Sequence, residues 1–113
     1  MGGSDMTKLT PAMFDAVAHR FHLLGEPMRL RLLDALRKGE RTVSELVAAT
    51  GGGQANVSKH LQLLLNGGLV DRRKEGTAVY YHLADKSVLK ICDLVCGRVE
   101  ETVEDRRRAL TGR

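Results

Sequence analysis

Residues 42–76 read TVSELVAATGGGQANVSKHLQLLLNGGLVDRRKEG, and this stretch decides the fold. Thr42-Val43-Ser44-Glu45 is a capping box: the Thr42 hydroxyl accepts from the Glu45 amide, and the Glu45 carboxylate reaches back to the Thr42 amide. A short helix over Val43 to Thr50 follows, and Gly51-Gly52-Gly53 ends it as a turn. A second helix then runs from Gln54 to Asn66, stopped by Gly67-Gly68. Two short helices joined by a glycine-containing turn form a helix-turn-helix, the second helix of which is shaped to enter the major groove.

Placed on a helical wheel, Val57, Leu61 and Leu64 make the buried face of the second helix, with Leu65 at its edge. Ala55, Asn56, Lys59 and Gln62 point away from that face, and Gln54, Ser58 and His60 sit on its flanks. Amides, a hydroxyl, an imidazole and an ammonium are the groups that reach base edges and phosphates. Leu63 falls on the same outward side, and its type does not match that role.

Beyond Gly68 the period changes from helical to alternating. Leu69 to Lys74 and Ala78 to Leu83 read as the strands of a β-hairpin around Glu75-Gly76-Thr77, with Gly76 supplying the positive φ of a tight turn. Arg72, Arg73 and Lys74 concentrate charge on the first strand, with Arg72 and Lys74 on one face and Arg73 on the other. A basic hairpin beside a helix-turn-helix can grip phosphates as a wing does. Taken singly, such a trio is as readily an edge strand guarded by charge.

Upstream, Thr10-Pro11 is a helix start, and Phe14, Val17, Ala18, Phe21 and Leu24 recur at helical spacing until Gly25. Pro27 opens a further helix carrying Met28, Leu30, Leu33 and Leu36, with Gly39 beyond its end. Downstream, helical spacing returns from Asp85, where Val88, Ile91, Cys92, Val95, Val99 and Val103 form one apolar stripe. The fold class expected is mainly α with a β-hairpin wing: four helices, two strands, then a fifth helix. Residues 1–9 read as a flexible arm, 10–109 as one winged-helix domain for DNA binding and dimerisation, and 110–113 as a tail.

Composition narrows the function classes. The chain has 113 residues, a single-domain length, with 18 Lys and Arg against 14 Asp and Glu, a net charge of +4. That excess suits a polyanionic partner without identifying one. With two Phe, two Tyr and no Trp, a base-stacking platform for single strands is disfavoured. No apolar run approaches the ~18 residues of a spanning helix, and the N-terminus lacks the apolar core of a signal peptide, so a cytoplasmic location without membrane association is expected. Two cysteines are too few for a disulfide framework. No phosphate loop, nucleophile elbow or metal-hydrolase motif is present, and the Cys-x3-Cys spacing is not the Cys-x-x-Cys of thiol oxidoreductases, so no enzyme activity is expected.

Leu23-Leu24-Gly25-Glu26-Pro27-Met28-Arg29-Leu30-Arg31-Leu32-Leu33, Val43-Ser44-Glu45-Leu46, Val57-Ser58-Lys59-His60-Leu61, Gly68-Leu69-Val70 and Arg73-Lys74-Glu75-Gly76-Thr77 with Tyr80-Tyr81 together resemble the ArsR/SmtB family of bacterial winged-helix repressors. The likeness covers Phe21 through Glu101. It implies a homodimer built from the first and last helices, binding of a double-stranded DNA operator, by symmetry an inverted repeat, and release of DNA when an inducer binds. Carried over by position are Gln54, Ser58 and His60 in the recognition helix and Arg73 with the Gly76 turn in the wing. Asn56, Lys59, Arg72 and Lys74 join them as candidate DNA contacts from the pattern of the residues themselves.

The family's sensor sites are not matched. Its arsenite and cadmium sensors carry a cysteine pair after a Glu-Leu dipeptide, whereas Glu45-Leu46 is followed here by Val47-Ala48. Its zinc-type ligands would fall on Asp85, Ser87, Arg98 and Glu101, so both imidazoles are gone and a cation stands in place of one. What remains is Cys92 and Cys96, four apart on one helix face. Two thiols there can react with oxidants or sulfur species, or chelate a soft metal or metalloid inducer, the only metal site the sequence offers. A direct intrahelical disulfide is disfavoured by the side-chain directions. The plain alternative is that both are small core hydrophobes. His19 and His22 are lesser candidates as additional ligands. No resident cofactor is required. The alternatives to a thiol-sensing repressor are a winged-helix regulator with structural cysteines, or a winged helix used for protein contact.

Overall fold

The computed structural model describes residues 9–111. The chain runs α1 (Pro11–Leu24), α2 (Pro27–Ala35), β1 (Arg41–Thr42), α3 (Val43–Thr50), α4 (Gln54–Asn66), β2 (Val70–Glu75), β3 (Ala78–Leu83) and α5 (Ser87–Thr111). The expected mainly helical winged helix-turn-helix is the fold observed. The expected arm falls, but for Leu9, outside the described residues. The expected tail does not begin at 110: α5 continues through Leu110 to Thr111.

Each helix start has a local cause. Thr10 Oγ1 accepts from the Met13 amide at 3.3 Å ahead of Pro11. Glu26 Oε1 accepts from the Arg29 amide at 2.9 Å ahead of Pro27. Both halves of the Thr42–Glu45 capping box are present, at 2.8 and 3.2 Å. Asp85 Oδ1 accepts from the Ser87 amide at 3.0 Å where α5 begins.

The sheet has three strands in the order β1-β3-β2, not the two expected. Arg41 pairs with Tyr81 and Thr42 with Tyr80, both antiparallel. A two-residue strand carries no readable alternation, so only the tertiary pairing reveals it. Leu32, Leu33 and Leu36 meet Leu46, Val57, Leu61, Leu64, Leu69, Val70 and Val88 in a core where each is fully buried. Side chains from α2, α3, α4, the hairpin and the start of α5 thus share one interior.

α1 and α5 contribute little to that interior. Only Leu23 and Leu24 of α1 and Val88 of α5 are buried. Phe14, Phe21, Leu94, Val95, Val99 and Val103 are all exposed, by 44 to 73%. The apolar stripe read along the last helix is therefore real but uncovered over its second half. No described helix is long and apolar enough to cross a membrane.

Candidate nucleic-acid interface

The turn before α4 is built by two of its three glycines. Gly51 adopts φ 74°, ends α3, and donates its amide to the Val47 carbonyl at 2.9 Å. At Gly52 a Cβ would stand 2.8 Å from Met28 Cε and 3.0 Å from Val57 Cγ2, a close approach that a side chain there would relieve by displacing the flexible end of Met28. Gly53 caps α4 without a side-chain hydrogen bond.

On α4, Gln54, Ala55, Asn56, Ser58, Lys59 and Gln62 are exposed, and Val57, Leu61 and Leu64 are buried, as the wheel predicts. Gln62 Nε2 donates to Asn66 Oδ1 at 2.9 Å, which leaves the first two turns as the free polar surface. Leu63 is 38% exposed on the same side, and nothing in the fold explains it.

His60 departs from expectation. It is 7% exposed and turns inward, with Nδ1 3.2 Å from a terminal nitrogen of Arg29 and Nε2 3.8 Å from Glu26 Oε2. The wheel places it on a flank because it lies between the two faces. Burial against α2 decides its side, and a base or phosphate contact no longer suits it.

The wing needs a second correction. Arg73 faces Tyr80 across the strands, and its guanidinium lies 4.7 Å over the Tyr80 ring. It donates through Nε to Glu40 Oε2 at 2.9 Å and through a terminal nitrogen to Glu75 Oε1 at 2.9 Å. The Arg73 partner holds the Glu40 carboxyl below its ordinary range. Arg73 therefore ties the wing to the segment before β1, and its guanidinium is already engaged there. Arg72 and Lys74, on the face that carries Tyr81 and Val79, are exposed and form no ion pair among the described residues. The free charge of the wing is theirs.

Cys92 is half-buried and Cys96 exposed, with both thiols free. They open on a groove of about 330 Å³ between α2 and α5, with Leu30, Leu33, Asp34 and Arg37 on its other side. Arg37 bridges the helices, donating to Asp93 Oδ1 at 2.9 Å and Oδ2 at 3.1 Å, and to Asp34 at 3.1 Å. Burial and then the Asp93 charge push the Cys92 thiol above its ordinary range. The Cys96 thiol donates to Glu100 Oε1 at 3.6 Å, and that contact, followed by the Glu100 charge, pushes it up as well. Both sulfurs hold their protons more firmly than a free cysteine. Replacing Glu100 by Gln removes the largest upward influence on Cys96, leaving burial and the charges of Asp93 and Asp34, so more thiolate is present at neutral pH. Cys96 of the Glu100→Gln variant is expected to alkylate with iodoacetamide severalfold faster at pH 7; an equal or slower rate contradicts the assignment.

The zinc-type positions are engaged otherwise. Asp85 pairs with Arg20 at 2.8 Å and Glu101 with Arg98 at 2.8 Å. The His19 and His22 rings stack 6.4 Å apart on α1. No group of three or more potential metal-ligating side chains converges among the described residues.

A model described as "Bacterial regulatory protein, arsR family" matches residues 26–72, from the start of α2 into the wing. The homodimeric winged helix-turn-helix DNA-binding domain, residues 1–100, of Mb0332 from Mycobacterium bovis superimposes with a TM-score of 0.74 at 38% identity, covering 93% of this chain and 95% of that one. The chain belongs to the ArsR family. This ArsR-family chain is also 39% identical over 94 residues to the HTH-type transcriptional regulator Rv0324 of Mycobacterium tuberculosis, covering 83% of its own length and 42% of that protein's. It thus spans about two-fifths of that relative. To the transcriptional repressor SmtB homolog of Synechocystis it is 37% identical over 86 residues, covering 76% of this chain and 65% of the other. A Streptomyces lividans protein named "Probable mercury resistance operon repressor" is 36% identical over 96 residues, at 84% and 74% coverage. These relatives are named as transcriptional regulators or repressors, and the ArsR-family domain is a DNA-binding regulator's fold.

Proposed function

We propose that this ArsR-family chain is a homodimeric repressor that reads a double-stranded operator with α4, grips phosphates with Arg72 and Lys74, and lets go when an inducer occupies Cys92 and Cys96. The observation that carries the reading is the conjunction of a free polar surface on the first two turns of α4 with two unpaired cations on the adjoining wing. Gln54, Asn56, Ser58 and Lys59 are the proposed contacts from the helix. The uncovered apolar faces of α1 and α5 supply the dimer surface, and the neighbour from Mycobacterium bovis is itself homodimeric. Two-fold symmetry then makes the operator an inverted repeat, with half-sites about 34 Å apart.

The thiols set the inducer class. Two thiols one turn apart on a groove that Asp34 and Asp93 also line, with Glu100 against Cys96, suit a thiophilic cation or metalloid, which displaces the protons as it binds. The test is operator affinity by fluorescence anisotropy, with and without arsenite, cadmium, mercuric ion, persulfide and peroxide. A coupling of roughly 1–3 kcal/mol weakens binding by roughly five- to 150-fold. A Cys92→Ser/Cys96→Ser variant is expected to bind operator normally and ignore the inducer. A variant that responds like the parent removes both cysteines from the sensing role.

A further inference from the structure

Tyrosine aside, two residues with polar or charged side chains are buried among the described residues, Arg29 and His60, and they bond to each other. Arg29 Nε donates to the Leu23 carbonyl at 2.7 Å, and one terminal nitrogen donates to the His22 carbonyl at 3.2 Å. Those are carbonyls of the last turn of α1; that of His22 also accepts the Gly25 amide at 3.1 Å, whereas helix ends leave such carbonyls without partners inside the helix. The other terminal nitrogen lies 3.2 Å from His60 Nδ1. A guanidinium has no lone pair, so Nδ1 is the acceptor and the ring hydrogen sits on Nε2, the side of Glu26 Oε2 at 3.8 Å. Glu26 closes the loop by accepting the Arg29 amide. One guanidinium therefore holds the end of α1, the start of α2 and the middle of α4.

We infer that His60 is a positioning residue for operator binding, fixing the rotation and height of α4 through Arg29 without touching DNA. An apolar side chain at this depth would pack in several rotations of the helix. A single acceptor facing a fixed donor permits one, which is how a buried polar pair sets register. His60 is one turn on from Asn56 and next to Lys59, so a small rotation of α4 moves both. The same guanidinium ends α1, so the setting of α4 follows α1. The inference rests on α4 being the helix that reads the operator.

Asn and Gln at position 60 separate the roles. Asn places an amide oxygen near where Nδ1 sits, and Gln places its polar end near where Nε2 sits. Operator and random-duplex affinities are measured by anisotropy for His60→Ala, His60→Asn and His60→Gln, with thermal midpoints and dimer mass alongside. His60→Ala is expected to lose at least tenfold in the ratio of operator to random-duplex affinity, with random-duplex binding and salt slope unchanged. His60→Asn is expected to recover most of the ratio, and His60→Gln little. If alanine unfolds the chain, the Asn and Gln variants carry the comparison. Recovery by Gln and not Asn, or an unchanged ratio in all three, overturns the inference. Lys59→Ala tests the reading of α4 separately: if it weakens operator binding while the His60 series does not, the inference fails and the reading stands.

Discussion

Alanine at both Arg72 and Lys74 is expected to weaken binding to operator and to random duplex alike, by on the order of 100-fold at low salt. Each lost charge-assisted contact to a phosphate is worth roughly 1.5 kcal/mol or more, and about 1.4 kcal/mol is a factor of ten. The slope of log K against log[salt] should flatten by about 1.8, two phosphates at roughly 0.9 each. These two side chains are singled out because Arg73 is committed elsewhere, to Glu40, Glu75 and the Tyr80 ring. An unchanged slope in the double variant would mean that the wing stays off the backbone. Binding titrations from about 50 to 200 mM salt settle it.

The second large effect is on stability. Leu61 is fully buried on the inner face of α4, in the same core as Leu32 and Leu33 of α2, Leu46 of α3 and Val70 of β2. Leu61→Ala is expected to cost about 2–5 kcal/mol, the transfer free energy of the lost atoms plus the cavity they leave. Domains of this size hold roughly 5–15 kcal/mol in total, so the variant should sit near the edge of folding. Urea denaturation at fixed chain concentration measures it, since a dimer's apparent stability depends on concentration. A loss under about 1 kcal/mol would show that α4 is not anchored by this contact.

What the sequence discloses is local. The capping box, the prolines at helix starts and the glycine stops place α1, α3, α4 and the hairpin within a residue or two, because each signal acts over one turn of chain. What it conceals depends on partners distant in sequence. Arg73 reads as a free wing cation until Glu40, 33 residues earlier, is found against it. His60 reads as a flank imidazole within reach of DNA until Arg29, 31 residues earlier, meets it in the interior. Strand β1 is invisible because two residues have no period. The spacing of Cys92 and Cys96 puts them on one face, but only the fold brings Asp34 and the Arg37–Asp93 clamp to the same groove. The exposed stripes of α1 and α5 are the converse case: the apolar period is plain in sequence, and the described residues do not cover it.

The central claim is that the first turns of α4 read bases. Its most direct measurement is selection of duplexes from a randomised pool by the parent and by Gln54→Ala, sequenced side by side. The predicted result is a symmetric site in which the variant relaxes preference at one position in each half and leaves the other positions unchanged, at a cost of about 1–3 kcal/mol for the parent's sequence. Recovery of the same preferences by both proteins, at every position, would contradict it.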